Sequence, residues 1–462
     1  MLFSSITFLY YFLPIVLFVY FISPAKLRNL VLLISSIIFY AWGEPKYLVL
    51  MLVQVFFGWF FGLLIEKWRG RSLSRLALIL AIVIEIGVLM YYKYVDFFIA
   101  NSNSLLGTNI PLLRLALPLG ISFYTFQILS YDMDLYGGST KVQRNPLTFA
   151  TYVTLFPQLI AGPIVRYVDV EKELQSRTHT VEQFASGAMR FVVGLGKKVL
   201  IANVLGEFVS IYKASGDRSL LFVWLYAFAY ALQIYFDFSG YSDMAIGMGR
   251  MFGFKFLENF NYPFTARSIT DFWRRWHMSM ATWFRDYVYI PLGGNRVKKA
   301  RYIFNVMFIW FLTGFWHGAG WNFMLWGLYF GVLLLIEKLV LGKILEKLPK
   351  FVGHIYLILL LQLSWGIFDA NSLTEALTNV TRMFGIGTNG LWGPESLYYL
   401  RSYAVILILA IIGSTPLVAR LAKKLPERAL MVAEPLCILM ILIMVTGFLA
   451  DGSFNPFIYF RF

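Results

Sequence analysis

The chain has 462 residues, of which 59% are hydrophobic, 18% aromatic and only 14% charged, with a mean hydropathy of +0.67. A soluble globule cannot bury that much apolar surface, and apolar runs of about twenty residues, in place of short alternating segments, exclude an outer-membrane β-barrel. The net charge of +15, from 40 basic and 25 acidic residues, gives no reason to invoke nucleic acid, because one face of a polytopic membrane protein normally carries a Lys and Arg excess.

Taken in order, the chain opens on an apolar run, Met1–Tyr20, and its first basic residues, Lys26 and Arg28, come only after it. That pattern predicts a first membrane helix and not a cleavable signal. Apolar runs predict crossings near 4–22, 29–42, 47–65, 76–92, 113–130, 198–212, 220–237, 302–317, 321–337, 352–369, 402–419 and 431–450. The expectation is an all-α polytopic membrane protein of about ten to twelve transmembrane helices, a single membrane-embedded domain over 1–462. The segment 147–165 is broken by Pro157 and by Gly162-Pro163 and has basic residues on both sides. It is expected to be re-entrant and enclosed by protein, because broken backbone cannot face lipid. From 240 to 295 the chain is rich in Arg, Trp, Asp and Asn yet still aromatic, which predicts interfacial helices. The stretch 370–400 is expected to be an external loop, and 451–462 an outward-facing aromatic tail. With the N-terminus outside, 32 of the 40 Lys and Arg residues fall on the inner face and 8 on the outer, which places both termini outside.

Candidate chemistry is sparse. The single cysteine, Cys437, lies in the last apolar run; it excludes an internal disulfide and is expected to pack among its apolar neighbours. Four histidines with no His-x₃-His or Cys-x₂-Cys spacing predict no metal site, and phosphate-binding glycine loops are missing. His179, in the polar run 176–180, reads as a solvated loop residue, and His354 as an interfacial anchor.

His317 is different. It stands in Thr313-Gly314-Phe315-Trp316-His317-Gly318-Ala319-Gly320-Trp321, between two apolar arms whose far ends, Arg301 and Lys338, are both basic. Helix rising 1.5 Å per residue carries it roughly 24 Å from the basic face. An imidazole at that depth is costly unless it lines a cavity, which makes it a functional-site candidate. His277 belongs to the basic aromatic segment Asp271-Phe272-Trp273-Arg274-Arg275-Trp276-His277-Met278. That segment suits either an acidic, planar ligand or an aromatic-cationic anchor. The run Tyr235–Asp243 places Asp237, Ser239, Ser242 and Asp243 around Gly240 and lacks a Gly-x-Ser-x-Gly elbow, so it reads as hydrogen-bonded helix-end structure. Glu85, inside an apolar run, fits either a pore residue or an interhelical pair.

Several segments, in order, carry a resemblance. They are Met1-Leu2-Phe3-Ser4-Ser5, Tyr40-Ala41-Trp42-Gly43, Leu117-Pro118-Leu119-Gly120-Ile121-Ser122-Phe123-Tyr124-Thr125-Phe126 and Phe156-Pro157-Gln158-Leu159-Ile160-Ala161-Gly162-Pro163-Ile164. Phe272-Trp273-Arg274-Arg275-Trp276-His277, Gly314-Phe315-Trp316-His317-Gly318 and Phe457-Ile458-Tyr459-Phe460 complete the set. Together they resemble the membrane-bound O-acyltransferases, in the bacterial branch of alginate and peptidoglycan O-acetyltransferases.

The resemblance implies a helical fold around a central funnel, in the bacterial cytoplasmic membrane. It also implies an enzyme in which His317 matches the catalytic histidine and His277 the second characteristic one. The C-terminal Phe454-Asn455-Pro456-Phe457-Ile458-Tyr459-Phe460-Arg461-Phe462 is similar to a pattern whose tyrosine relays acyl groups, which implies that role for Tyr459. Acetyl-CoA is the donor substrate so implied, with Arg274, Arg275, Trp273 and Trp276 as candidate donor-binding residues and no tightly bound cofactor. The implied partners are an extracytoplasmic acetyltransferase of SGNH-hydrolase type, a polysaccharide acceptor and membrane lipids. D-alanyl transfer from a carrier protein, polysaccharide or lipid transport, and a scaffold role in an export complex are the competing readings.

Overall fold

In the absence of water, a backbone can satisfy its own N–H and C=O groups within a helix, and the apolar runs of this chain fold accordingly. The computed structural model describes residues 1–452 and 454–456, and among them every regular element is helical. Among the described residues, eight helices are long and apolar enough to cross a membrane: Ala25–Gly43, Leu48–Lys67, Ser72–Leu106, Leu220–Met251, Trp321–Lys347, Lys350–Phe368, Pro394–Gly413 and Glu427–Ala450. The chain is an all-helical, multi-pass membrane protein. The expected crossings at 4–22, 113–130, 198–212 and 302–317 correspond to helices outside that set. The run at 113–130 is displaced: Pro118 and Gly120, the latter at φ 74°, hold off the helix until Ile121, and it then continues to Gly137.

The chain divides into two compact units, each made of two segments. The first comprises Met1–Phe191 and Ser242–Glu258. Its core includes Phe8, Phe39 and Phe156, with the rings of Phe39 and Phe156 5.6 Å apart. The broken segment 147–165 is two short helices, Pro146–Thr154 and Phe156–Leu159, followed by extended chain, and it is buried almost throughout. Its irregular backbone is satisfied by protein: the Phe156 N–H donates to Ser36 Oγ at 3.0 Å, and the Tyr152 hydroxyl to the Val165 carbonyl at 3.1 Å. Gln54 Nε2 donates to Glu85 Oε2 at 2.7 Å in the interior, so Glu85 takes the interhelical-pair reading. His179 is not the solvated loop residue expected. Its ring nitrogens lie 3.0 Å from the Tyr20 hydroxyl and 3.2 Å from Arg28 Nη1, and burial, with Arg28 beside it, holds its pKa below the usual range.

The second unit comprises Val192–Tyr241 and the chain from Asn259 onward. Its interior is an aromatic cluster that includes Trp273, Trp276, Trp326, Phe330, Trp365 and Phe368. The stretch 370–400, expected as an external loop, holds a helix, Leu373–Met383. Leu373, Ala376, Leu377, Val380 and Met383 recur at helical spacing, Ala376 and Met383 are buried, and Ser372 caps the helix by accepting the Glu375 N–H at 3.1 Å. Cys437, expected to pack, is exposed on Glu427–Ala450, the least buried of the apolar spans.

Candidate active site

Two antiparallel helices, Lys299–His317 and Trp321–Ile336, form a hairpin in the second unit, joined by Gly318-Ala319-Gly320. Their closeness depends on absent side chains. A Cβ on Gly314 would stand 2.3 Å from the Phe323 carbonyl oxygen, and one on Gly327 2.1 Å from that of Trp310. His317 is the last residue of the first arm, about 27 Å along the helix axis from Lys299. It is half-buried, with its ring edge-on to Trp326 at 5.1 Å and to Phe368 at 5.3 Å. The residue after Phe368, Asp369, accepts the Tyr226 hydroxyl and lies 2.5 Å from Lys213 Nζ, so a buried polar network adjoins the hairpin tip.

His277 is held in another way. It caps the helix Met278–Phe284 at φ 46°, a strained conformation for a side chain of its size, and only 1% of it is exposed. Backbone bonds from Asn261 to Arg275 (2.9 Å) and from Met278 to Asn259 (3.0 Å) fix the turn. Asn259 Oδ1 accepts the Ser279 N–H at 3.3 Å and the Ser279 hydroxyl at 2.9 Å, which identifies it as the amide oxygen. His277 Nδ1, 3.1 Å from that oxygen, therefore carries the proton, and Nε2 keeps a lone pair. Nε2 is buried and has no hydrogen-bond partner among the described residues. Burial pulls the pKa of this imidazole, which lies between the spans and not within one, down to about 3. The rings of Phe238 and Trp316 lie 4.6 and 6.0 Å away, so Trp316 borders His277 on one side and, at 4.9 Å, its own neighbour His317 on the other.

The segment that carries His277 is tied to the hairpin by Glu337. This buried carboxylate accepts the backbone N–H groups of Ile269 at 2.6 Å and Thr270 at 2.9 Å, and the Thr270 hydroxyl at 2.6 Å. It thereby supplies the acceptors that the N-terminus of the short helix Ile269–Trp273 lacks.

Two cavities flank this junction and share Thr270, Arg274 and Lys338 in their walls. The larger, about 1060 Å³, is lined by six basic side chains (Arg267, Arg274, Lys338, Lys343, Lys347 and Lys350) against three acidic ones (Asp271, Glu337 and Glu346). The smaller, about 380 Å³, is walled by Trp273, Trp310 and Phe284 and reaches Thr313, one helical turn before His317. A basic vestibule thus continues into an aromatic pocket directed along the hairpin towards its tip.

The structure brings His317, His277, Trp273 and Arg274 to this one unit. Arg274 is exposed in both cavity walls and Trp273 faces the smaller one. Arg275 pairs with Asp271 at 2.9 Å, and Trp276 is buried against Phe272 and Trp365; neither lines the cavities. His354 Nδ1 lies 3.1 Å from the Ala266 carbonyl oxygen. Tyr459 lies outside the described residues. Asn259 and Glu337 escape sequence reasoning, because their partners are distant in the chain and an Asn or a Glu beside apolar residues carries no distinctive spacing. Lys198 escapes for a different reason: it reads as one more inner-face cation, yet it is only 1% exposed and lies 2.6 Å from Asp237.

The profile of the family described as MBOAT, membrane-bound O-acyltransferase, matches residues 76–371. The Azotobacter vinelandii protein named "Probable alginate O-acetylase AlgI" is 42% identical over 392 residues, covering 84% of this chain and 79% of the relative. The "Peptidoglycan O-acetyltransferase" of Helicobacter pylori is 35% identical over 427 residues, 85% of this chain and 81% of the relative. The "Teichoic acid D-alanyltransferase" of Bacillus subtilis is 34% identical over 229 residues, 47% of this chain and 58% of the relative.

Proposed function

The chain belongs to the membrane-bound O-acyltransferase family and is an acyltransferase, and from that premise we propose that it takes acetyl groups from cytoplasmic acetyl-CoA for O-acetylation of an extracytoplasmic polysaccharide. The observation that carries this reading is the basic vestibule opening into an aromatic pocket that ends one turn short of His317. Phosphates and an adenine ring ask for cationic and aromatic walls of this kind, and Arg274 and Lys338 stand where the two cavities meet. The inner face is the one on which the basic clusters gather, and the bacterial cytoplasmic membrane is the compartment that supplies the donor.

His317 acts as general base. A phenol has a pKa of about 10 and is protonated at neutral pH, so its attack on a thioester needs an acceptor for the proton. The Tyr459 oxygen bonds to the acetyl carbonyl carbon, the carbon–sulfur bond breaks, and the phenolic proton passes through His317 to the departing thiolate, giving free CoA and an aryl ester. The ester then hands its acetyl group to a serine of an extracytoplasmic partner of SGNH-hydrolase type, and from there to a sugar hydroxyl. His277, neutral and fixed by Asn259, borders the same indole and orients the reacting groups. The D-alanyltransferase relative aligns over about half of this chain, whereas the two O-acetylating relatives align over more than four-fifths, which favours acetyl over D-alanyl as the cargo.

The test is intact and peptide mass of the purified protein after incubation with acetyl-CoA, for the native chain, His317→Ala and Tyr459→Phe. The expected result is a gain of one acetyl group on Tyr459 that both variants lose. No release of CoA by the native chain would overturn the donor assignment.

A further inference from the structure

A lysine ammonium has three N–H donors, and in a protein interior each needs an acceptor. Lys198 Nζ is buried among three oxygens, and one of them comes from the last described residues of the chain. It lies in the π-helical turn Lys197–Ala202, where an extra residue redirects a side chain that a regular helix would place elsewhere. Its Nζ stands 2.6 Å from Asp237 Oδ1, donates to Asn203 Oδ1 at 2.9 Å, and donates to the Pro456 carbonyl oxygen. The glycines make the pairing possible: a Cβ on Gly240 would lie 2.7 Å from the Gly194 carbonyl oxygen and 3.2 Å from the Lys198 nitrogen.

The tail is held at three successive residues. Asn455 Oδ1 accepts from Asn203 Nδ2 at 3.1 Å, Pro456 accepts from Lys198, and Phe454 Cε1 would lie 3.1 Å from a Cβ on Gly206. Contacts at Gly206, then Asn203, then Lys198 give the tail a direction. Residues 454–456 run along the helix from Gly206 towards Lys198. The anchor also adjoins the candidate site, since the residue after Asp237 is Phe238, whose ring lies 4.6 Å from that of His277.

We infer that Lys198, Asp237 and Asn203 form a clamp that docks the C-terminal tail and positions it for acyl transfer. The inference rests on the reading of Tyr459 as the acyl carrier. Three peptide steps separate Pro456 from Tyr459, so covalent geometry limits the distance between their Cα atoms to about 11 Å. A buried ion pair adds little to stability by itself, and a hydrogen bond from the same ammonium to the tail gives it a positional role.

The clamp is tested with a single cysteine at position 458 in a Cys437→Ser background, read by the rate of maleimide labelling of the purified full chain, together with transfer from acetyl-CoA. Lys198→Met is expected to raise the labelling rate about tenfold or more and to lower kcat about tenfold or more, with the KM for acetyl-CoA little changed. Asn203→Ala, which removes no charge, is expected to move both readouts in the same directions by about threefold, and it decides the matter if Lys198→Met does not fold. The double variant Lys198→Asp, Asp237→Lys keeps an interior ion pair but withdraws the ammonium from Pro456. It is expected to regain the thermal stability of the native chain and not its transfer rate. Unchanged labelling in Lys198→Met and Asn203→Ala, or full recovery of transfer in the charge-swapped chain, would overturn the clamp. The carrier reading fails separately: if Tyr459→Phe transfers acetyl normally to the polysaccharide, Tyr459 is not the carrier, while the labelling rates still decide whether the tail is docked.

Discussion

His277 and His317 border the same indole, Trp316, and are held in opposite ways. His277 is enclosed, its backbone in a left-handed turn, its Nδ1 proton fixed on Asn259 and its pKa pulled far down by burial. His317 ends a helix, half-buried between aromatic edges, with only Gly318, Ala319 and Gly320 before the next helix begins. An enclosed imidazole keeps one tautomer and can orient a neighbour. An imidazole at the end of a helix, its backbone free of a capping turn, suits a group that takes a proton and releases it. The contrast fits the proposed division, orientation for the first and proton transfer for the second.

The sharpest way to break that assignment is His317→Ala. Loss of a general base lowers acyl transfer by about 10²- to 10⁴-fold, and a partly buried side chain at a helix end leaves the melting temperature within a few degrees of native. Free-CoA release during turnover measures the first, and a thermal melt in detergent the second. A His317→Ala chain that keeps a tenth of native activity would move the base elsewhere. His277→Ala should differ in kind: it opens a cavity and removes the imidazole's bond to Asn259, so stability falls by about 2–4 kcal/mol while transfer falls by about ten- to a hundredfold. Asn259→Ala refines the comparison, because it keeps the imidazole and releases the tautomer. A tenfold loss of transfer with a smaller loss of stability is expected. Arg274→Ala and Lys338→Ala lie in the shared wall of the two cavities, and each should raise the KM for acetyl-CoA about three- to tenfold with kcat little changed.

Legibility in the sequence follows the same division. His317 could be found from spacing, because depth in a membrane is set by counting helical residues from basic ends, and the hairpin Lys299–His317 and Trp321–Ile336 has the geometry that count requires. The burial of the broken segment 147–165 was legible for a related reason, since Pro157 and Gly162-Pro163 leave backbone groups that lipid cannot satisfy. The start of the helix at Ile121 was not, although Pro118 and Gly120 carried the signal; hydropathy averaged over a window outweighs a local break. The helix in 370–400 was hidden by polar neighbours, and its apolar period is visible only at single-residue resolution. His277 could be singled out by its basic aromatic surroundings, but the residue that fixes its proton, Asn259, is eighteen positions away and makes that contact only through the fold. Glu337 and Lys198 belong to the same class: each looks like a charge at the edge of an apolar run, and each proves to be a buried partner for a distant segment.

The smallest effect expected is one of pH. With a folded pKa of about 3 and an unfolded value near 6.5, His277 binds more protons in the unfolded chain than in the folded one between those limits. Stability therefore rises with pH through that window and falls on acidification, by up to about 1.4 kcal/mol per pH unit, whereas above about pH 7 the residue contributes no slope. His179, also held below its usual range, adds a slope of the same sign that is present in both chains compared. His277→Gln should accordingly melt with a flatter dependence on pH between 4.5 and 6.5 than the native protein, and the two curves should run parallel at higher pH. Melting curves of equal slope would mean that the enclosed histidine takes up protons in the folded chain after all, and its reading as a neutral, orienting group would fall.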